Sequence, residues 1–285
     1  MKIFLATLLL IFCKATSHAQ LNLPELSPEG EILQKAGFTS ISIHYGRPAA
    51  RGRKIMGDVV PYNVLWRTGA GNCSTISFDD DVFINNTKVA AGIYAILTIP
   101  GEKSWTVLFN SDTSKRYGDP KEYDVKTELL RFNVTPKTSG RFYESLTISL
   151  DIVRYDVVLY LAWENTEINF RIATGAHEKT MAEIEKAIEA NPKNQDELSM
   201  ASYYYFMNNE SPEKMLKWLD MALALGEERW VYHQKVDVLE RLKRYNDARK
   251  SAQAAIGFLT RSKPVDWEIS VSDYQTRMGK WPLSD

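Results

Sequence analysis

The chain has 285 residues, 44% hydrophobic and 25% charged, an ordinary globular composition with enough length for two domains. Its 35 basic and 36 acidic side chains leave a formal net charge of −1, which excludes a global field that would recruit nucleic acid or an anionic membrane. Beyond the first residues no apolar run approaches the length needed to cross a bilayer, so no transmembrane segment is expected.

Residues 1–19 read as a secretory signal peptide. Lys2 supplies the positive start, residues 3–12 the apolar stretch, and Ser17-His18-Ala19 a small-x-small cleavage site before Gln20. The mature protein is therefore expected to be exported, either periplasmic or secreted. Cys13 lacks the small residues that precede a lipoprotein cysteine, so no lipid anchor is expected. Its removal leaves Cys73 alone, without an intrachain disulfide. Beside Thr75, Ile76 and Phe78, Cys73 reads as a small buried strand residue.

Residues 20–37 show no sustained periodicity and are expected to form an N-terminal arm. From Phe38 the pattern has period two, with Phe38, Ser40, Ser42 and His44 opposed to Thr39, Ile41, Ile43 and Tyr45. That predicts a strand, with His44 as one of its half-buried residues. The strand leads into a basic loop over residues 46–72, where Arg47, Arg51, Arg53 and Lys54 follow one another with no acid between them. Proline, glycine and alanine fill the gaps, so no packed helix or strand is expected there. A guanidinium presents a rigid donor fork suited to carboxylate, phosphate or sulfate, and glycine lets backbone amides approach an anion. Tyr62 and then Trp66-Arg67-Thr68-Gly69 close the loop. A long charged loop inside a compact domain is more often functional than filler. The competing reading ties the loop down by ion pairs, although the local sequence supplies only Asp58.

Short β-like runs follow over residues 74–78, 82–84, 88–89, 93–99, 105–109, 129–134, 143–150, 157–163 and 168–172. Asn85-Asn86 suits a tight hairpin, and Asp79-Asp80-Asp81 reads as a solvated turn without the alternate spacing of a calcium loop. The pattern predicts an all-β antiparallel sandwich or barrel over residues 38–173. From residue 174 the grammar is helical, with segments around Met181–Ile188 and over 198–207, 215–225, 230–242 and 245–259. Met215 and Ala222 are matched by Ala248 and Ala255 at an offset of about 33 residues, which predicts tetratricopeptide-like helical repeats over residues 174–260. So few repeats need extra surface, from the β domain or from a protein partner. Residues 261–285 read as an irregular tail anchored by Trp267 and Trp281.

Four linked motifs carry a resemblance. They are Arg47-Pro48-Ala49-Ala50-Arg51-Gly52-Arg53-Lys54-Ile55, Val60-Pro61-Tyr62 through Trp66-Arg67-Thr68-Gly69-Ala70, Ala91-Gly92-Ile93-Tyr94 through Thr98-Ile99-Pro100-Gly101, and Trp105 through Phe109-Asn110. With them, residues 38–172 resemble a secreted family of unknown function typical of Bacteroidota, the domain of unknown function numbered 2911. Gly71 precedes Asn72 where the family usually carries Asn directly after Ala70, and Asn85-Asn86 stands where Asn-Gly is more usual. The family brings no established activity. The resemblance implies a class, a compartment and a candidate surface.

Three functions compete. A binding module would use Arg47, Arg51, Arg53, Lys54 and Arg67 as donors to an anionic or glycan-type ligand, with Tyr62 and Trp66 as an aromatic wall and the helices as a protein-binding surface. Core packing beneath the loop is the plainer role for Tyr62 and Trp66. A hydrolase would need paired carboxylates from distant positions, because His44, His177 and His233 form no zinc motif, and no Gly-x-Ser-x-Gly elbow or Walker loop is present. The third is a structural part of an envelope complex. Nothing in the sequence implies a metal, a cofactor or a nucleic-acid partner. Mass spectrometry of the exported form is expected to find a chain beginning at Gln20; a lipidated chain retaining Cys13 would overturn the export reading.

Overall fold

The computed structural model describes residues 23–282. The signal peptide, its cleavage site and Cys13 lie outside the described residues. The chain divides into two compact units, one ending at Thr174 and the other starting at Gly175.

The first unit contains strands β1 (Glu29–Ala36), β2 (Thr39–Gly46), β3 (Thr75–Phe78), β4 (Val82–Ile84), β5 (Thr87–Val89), β6 (Gly92–Ile99), β7 (Trp105–Asn110), β8 (Glu128–Val134), β9 (Lys137–Val153) and β10 (Asp156–Ala173). They form two antiparallel sheets, of order β1-β2-β3-β6-β7-β8 and β5-β4-β10-β9. Alternation explains the first sheet: in β2 Thr39, Ile41, Ile43 and Tyr45 are buried, while Ser40 and Ser42 are partly covered and His44 is exposed. Ile41, Ile43, Ile76 and Phe109 meet Ile84, Leu146, Leu159 and Ile172 of the second sheet in one core. Each such side chain contributes roughly 1.5–3 kcal/mol when fully buried. An antiparallel β domain followed by a helical domain is the expected architecture.

His44 is exposed rather than half-buried, and two strand assignments in this unit also differ from expectation. The N-terminal arm is a strand, β1, paired along its whole length with β2 from Glu29↔Gly46 to Ala36↔Thr39. As an edge strand it is held by a backbone ladder on one side; its side chains alternate between exposed and half-covered, but Leu33 points outward and Gln34 inward, so residue type does not follow the alternation. The runs predicted over 157–163 and 168–172 are one strand, interrupted by register shifts on both sides of Glu164, which has φ 51°. Asn85 and Asn86, at φ 49° and 62°, make the predicted tight hairpin between β4 and β5.

The second unit contains helices α1 (Ala176–Ala190), α2 (Gln195–Asn208), α3 (Pro212–Leu225), α4 (Arg229–Arg241), α5 (Tyr245–Ser262) and α6 (Trp267–Lys280). Each packs on the next, and α2 also touches α4. Asn194, Ser211 and Glu228 cap α2, α3 and α4 by accepting from the backbone N–H of Glu197, Lys214 and Val231. Leu198 and Tyr205 of α2 are matched by Val231 and Val238 of α4, and Met215 and Ala222 of α3 by Ala248 and Ala255 of α5, all buried. The tail is not irregular: it forms α6. Its stripe of Trp267, Val271, Tyr274 and Met278 packs against the core of α4 and α5. Asp266, a residue type favoured at helix starts, precedes α6 in the left-handed region and its side chain makes no cap, so the helix is held by packing rather than by its start signal. Among the described residues no helix is long and apolar enough to cross a membrane.

Gly46 is where the loop leaves β2, and a Cβ there would stand 2.0 Å from the Ala70 carbonyl oxygen. Overpacking against backbone cannot relax as a flexible side chain would. Gly46→Ala is expected to cost at least about 2 kcal/mol in urea unfolding; an unchanged midpoint would show that the crossing of the two segments is loose.

Candidate functional site

The loop after β2 stitches the two sheets. Ala49 bridges Ser145 of β9, with Ala50 N–H donating to the Glu144 carbonyl at 2.7 Å and Leu146 N–H to the Pro48 carbonyl at 2.9 Å. The chain then returns to the first sheet, where Trp66 bridges Thr98 of β6. β3 pairs β6 only as far as Thr75↔Ala95, so Trp66 occupies ladder positions that β3 leaves bare. Two acids hold this path: Glu144 accepts from the Arg51 backbone N–H at 2.7 Å and Glu164 from the Ile55 N–H at 3.0 Å. The irregularity in β10 turns Glu164 toward the loop, a common use of a bulge.

The loop arginines bond to carbonyls. Arg47 donates to the Leu146 carbonyl at 3.2 Å and to the Thr147 hydroxyl at 3.3 Å. Arg51 donates to the Leu26 carbonyl at 2.8 Å. Arg53 donates to the carbonyls of Ala50 at 3.0 Å and Ala49 at 2.8 Å, and Arg67 to that of Gly71 at 3.1 Å. A carbonyl satisfies a donor without cancelling its charge. Lys54 is exposed and makes no side-chain bond among the described residues.

Between this loop and a second one after β7 lies a cleft of about 350 Å³. Arg53, Trp66 and Arg67 line it, with Val60 and Leu65, Trp163 from β10 and Tyr117-Gly118 from the second loop. Trp66 stacks on Trp163 with centroids 5.9 Å apart and meets Trp105 edge-on at 6.5 Å, so the cleft floor continues into the core. Trp66 Nε1 donates to the Gly69 carbonyl at 3.2 Å and Trp163 Nε1 to that of Glu144 at 3.3 Å. Thr68, between two lining residues, is fully buried at φ 58°, an outlier for a β-branched residue that costs of order 1–3 kcal/mol. Its hydroxyl donates to Thr98 Oγ1 at 3.1 Å, and its carbonyl accepts from Ser74 Oγ at 2.8 Å.

The lining contains no carboxylate and no histidine among the described residues. Tyr117 donates its hydroxyl to the Asp112 carbonyl at 2.6 Å, and burial, reinforced by Asp112, pushes its phenol up to about 12. It is a neutral wall at physiological pH. Burial also raises the Cys73 thiol, whose sulfur faces the Thr113 carbonyl at 3.6 Å, so Cys73 is no thiolate nucleophile. His44 pairs with Glu31 at 3.5 Å on the exposed side of the first sheet, away from the cleft lining. No group of three or more His, Cys, Asp or Glu is arranged for a metal among the described residues. The cleft therefore offers cationic donors and aromatic surface.

Residues 27–172 match the family model described as "Protein of unknown function (DUF2911)". The chain belongs to this family. The match begins ahead of β1 and ends in β10, so the DUF2911 region takes in edge strand β1, ahead of the expected start of the β domain at residue 38. No curated protein matches the chain.

Within the DUF2911 region the structure brings Arg53, Trp66 and Arg67 to one cleft and puts the other four sequence candidates elsewhere. Arg47 clasps β9, Arg51 holds the segment before β1, Lys54 faces solvent, and Tyr62 packs on the core and against Gly57. Sequence reading missed Trp163 and Tyr117. The polar break Glu164-Asn165-Thr166 after Trp163 is the signal that marked a bulge; the 111–119 segment carried none. Arg47→Ala is expected to lower stability by about 1–2 kcal/mol, while Arg67→Ala changes it by less than about 0.5. Thermal melts by circular dichroism rank the two, and the opposite order would make Arg67 the clasp.

Proposed function

We propose that this chain is an exported binding module whose β domain takes an anionic or glycan-type ligand in the cleft between its two loops. The lining supports the reading: two guanidiniums and a tryptophan floor face one space with no acid among the described lining residues. A guanidinium has five donors. Arg53 uses two of them and Arg67 one, leaving three and four for a ligand. Donors already anchored on one side lose little freedom on binding, which favours a charged guest. The indole of Trp66, backed by Trp163, gives a flat apolar surface of the kind on which a sugar ring stacks.

We further infer that the helical unit is a tetratricopeptide-like surface for a protein partner, on the strength of its successive hairpins and the 33-residue correspondence of buried positions (231 − 198 and 238 − 205). A hydrolase reading finds less support, since the cleft supplies no pair of carboxylates among the described residues.

The test is calorimetric titration of the full chain with galacturonate, glucose, sulfate and phosphate. Galacturonate is expected to bind most tightly, and added salt to weaken it. Arg67→Ala and Arg53→Ala are each expected to reduce its affinity roughly 10- to 150-fold, the range of a charge-assisted bond. Glucose binding as well as galacturonate, or variants that bind as the natural chain does, would sink the cationic-cleft reading.

A further inference from the structure

The helical unit holds a second cavity that the proposed function does not use. It lies between α4 and α6 and has a volume of about 380 Å³. Its walls are aromatic: Trp230 stacks on His233 at 5.8 Å, and His233 meets Tyr274 at 6.3 Å. Tyr203 of α2 leans on Trp230 at 5.8 Å, extending the ladder beyond the cavity. Exposed Ile269 adds an aliphatic wall.

Charge in the lining is unbalanced toward the acids, with Glu228 and Asp273 against Arg229. Glu228 gives one oxygen to the Val231 N–H at 3.0 Å, which leaves the other free. Asp273 is half exposed, and the cation nearest to it is Arg277 at 3.8 Å. Arg277 itself is bound more closely by Asp237, at 2.7 Å, and by Glu240. Arg229 donates to the Val265 carbonyl at 3.0 Å.

Tyr274 supplies an independent observation. It is 2% exposed, yet its hydroxyl has no hydrogen-bond partner among the described residues. Nor is that hydroxyl among the polar atoms sealed off without a partner, so it opens into the cavity that Tyr274 lines. The hydroxyl thus keeps donor and acceptor capacity that no described protein group takes up, available to a guest in the cavity. Burial raises the phenol above its ordinary value, so at neutral pH it keeps its proton and still has lone pairs to accept with.

We propose that this cavity binds an organic ammonium, with the charged nitrogen against Asp273 and the Tyr274 hydroxyl and its apolar body between Trp230 and Ile269. Ring faces attract a cation electrostatically, and the carboxylates favour it further. An anion would meet both acids, and a neutral guest would leave the acidic excess unanswered. Either a free amine or the lysine side chain of a peptide carries this chemistry.

The experiment is calorimetric titration of the full chain with phenethylammonium, with its neutral isostere 2-phenylethanol, and with Nα-acetyl-lysine amide. Phenethylammonium or the lysine amide is expected to bind at least about tenfold more tightly than 2-phenylethanol. The tighter of the two cations identifies the source. Tyr274→Phe keeps the ring and removes only the hydroxyl, and is expected to weaken binding by roughly fivefold; Asp273→Asn weakens it by about tenfold. Arg53→Ala, in the other unit, leaves it unchanged, which separates this site from the cationic cleft. The proposal is overturned if the neutral isostere binds equally well, if neither cation binds at millimolar concentration, or if folded Tyr274→Phe and Asp273→Asn both bind as the natural chain does.

Discussion

A guanidinium bonded to a carbonyl oxygen is held in place and still fully charged, whereas one bonded to a carboxylate is held and neutralised. The β domain depends on this distinction. Its loop arginines take carbonyls of Leu26, Ala49, Ala50, Gly71 and Leu146, while the two acids that reach the loop, Glu144 and Glu164, take backbone N–H groups. Both kinds of contact fix the path of the chain. Neither pairs a loop guanidinium with a carboxylate among the described residues, so a segment that is structurally tied down still presents cations. Hydrogen bonding divides the loop arginines: Arg47 reaches β9 and Arg51 the segment before β1, while Arg53 and Arg67 line the cleft.

The floor of the cleft belongs to the core. Trp66 is bracketed by Trp163 and Trp105, the latter two almost fully buried, and its backbone sits in the β6 ladder. The strained backbone of Thr68 persists because its hydroxyl, its carbonyl and its buried position all specify it.

In the helical unit α4 is shared between two cores. Val231 and Val238 face α2 and α3, while Tyr232, Val236 and Leu239 face α5 and α6. That leaves Trp230 and His233 on a third face, where they line the second cavity. A helix packed on two sides cannot rotate to hide them, so the aromatic ladder is a consequence of the stacking.

The sequence alone determined what depends on local chemistry. Period two over Thr39, Ile41, Ile43 and Tyr45, the Asn85-Asn86 turn and the helical spacing after residue 174 each follow from side-chain direction and backbone preference, and each is present in the fold. The family motifs likewise marked the loop as the distinctive segment. Features that are satisfied by partners distant in the chain were decided by the tertiary structure. Strand β1 exists because β2 offers it a ladder, and α6 because Tyr232, Val236 and Leu239 offer its stripe a core. Trp163 and Tyr117 join the cleft across 97 residues (163 − 66) and 51 residues (117 − 66) from Trp66, distances over which no local pattern carries information. Nor does composition show whether an arginine meets a carboxylate or a carbonyl, because the acceptors are backbone atoms that every residue possesses.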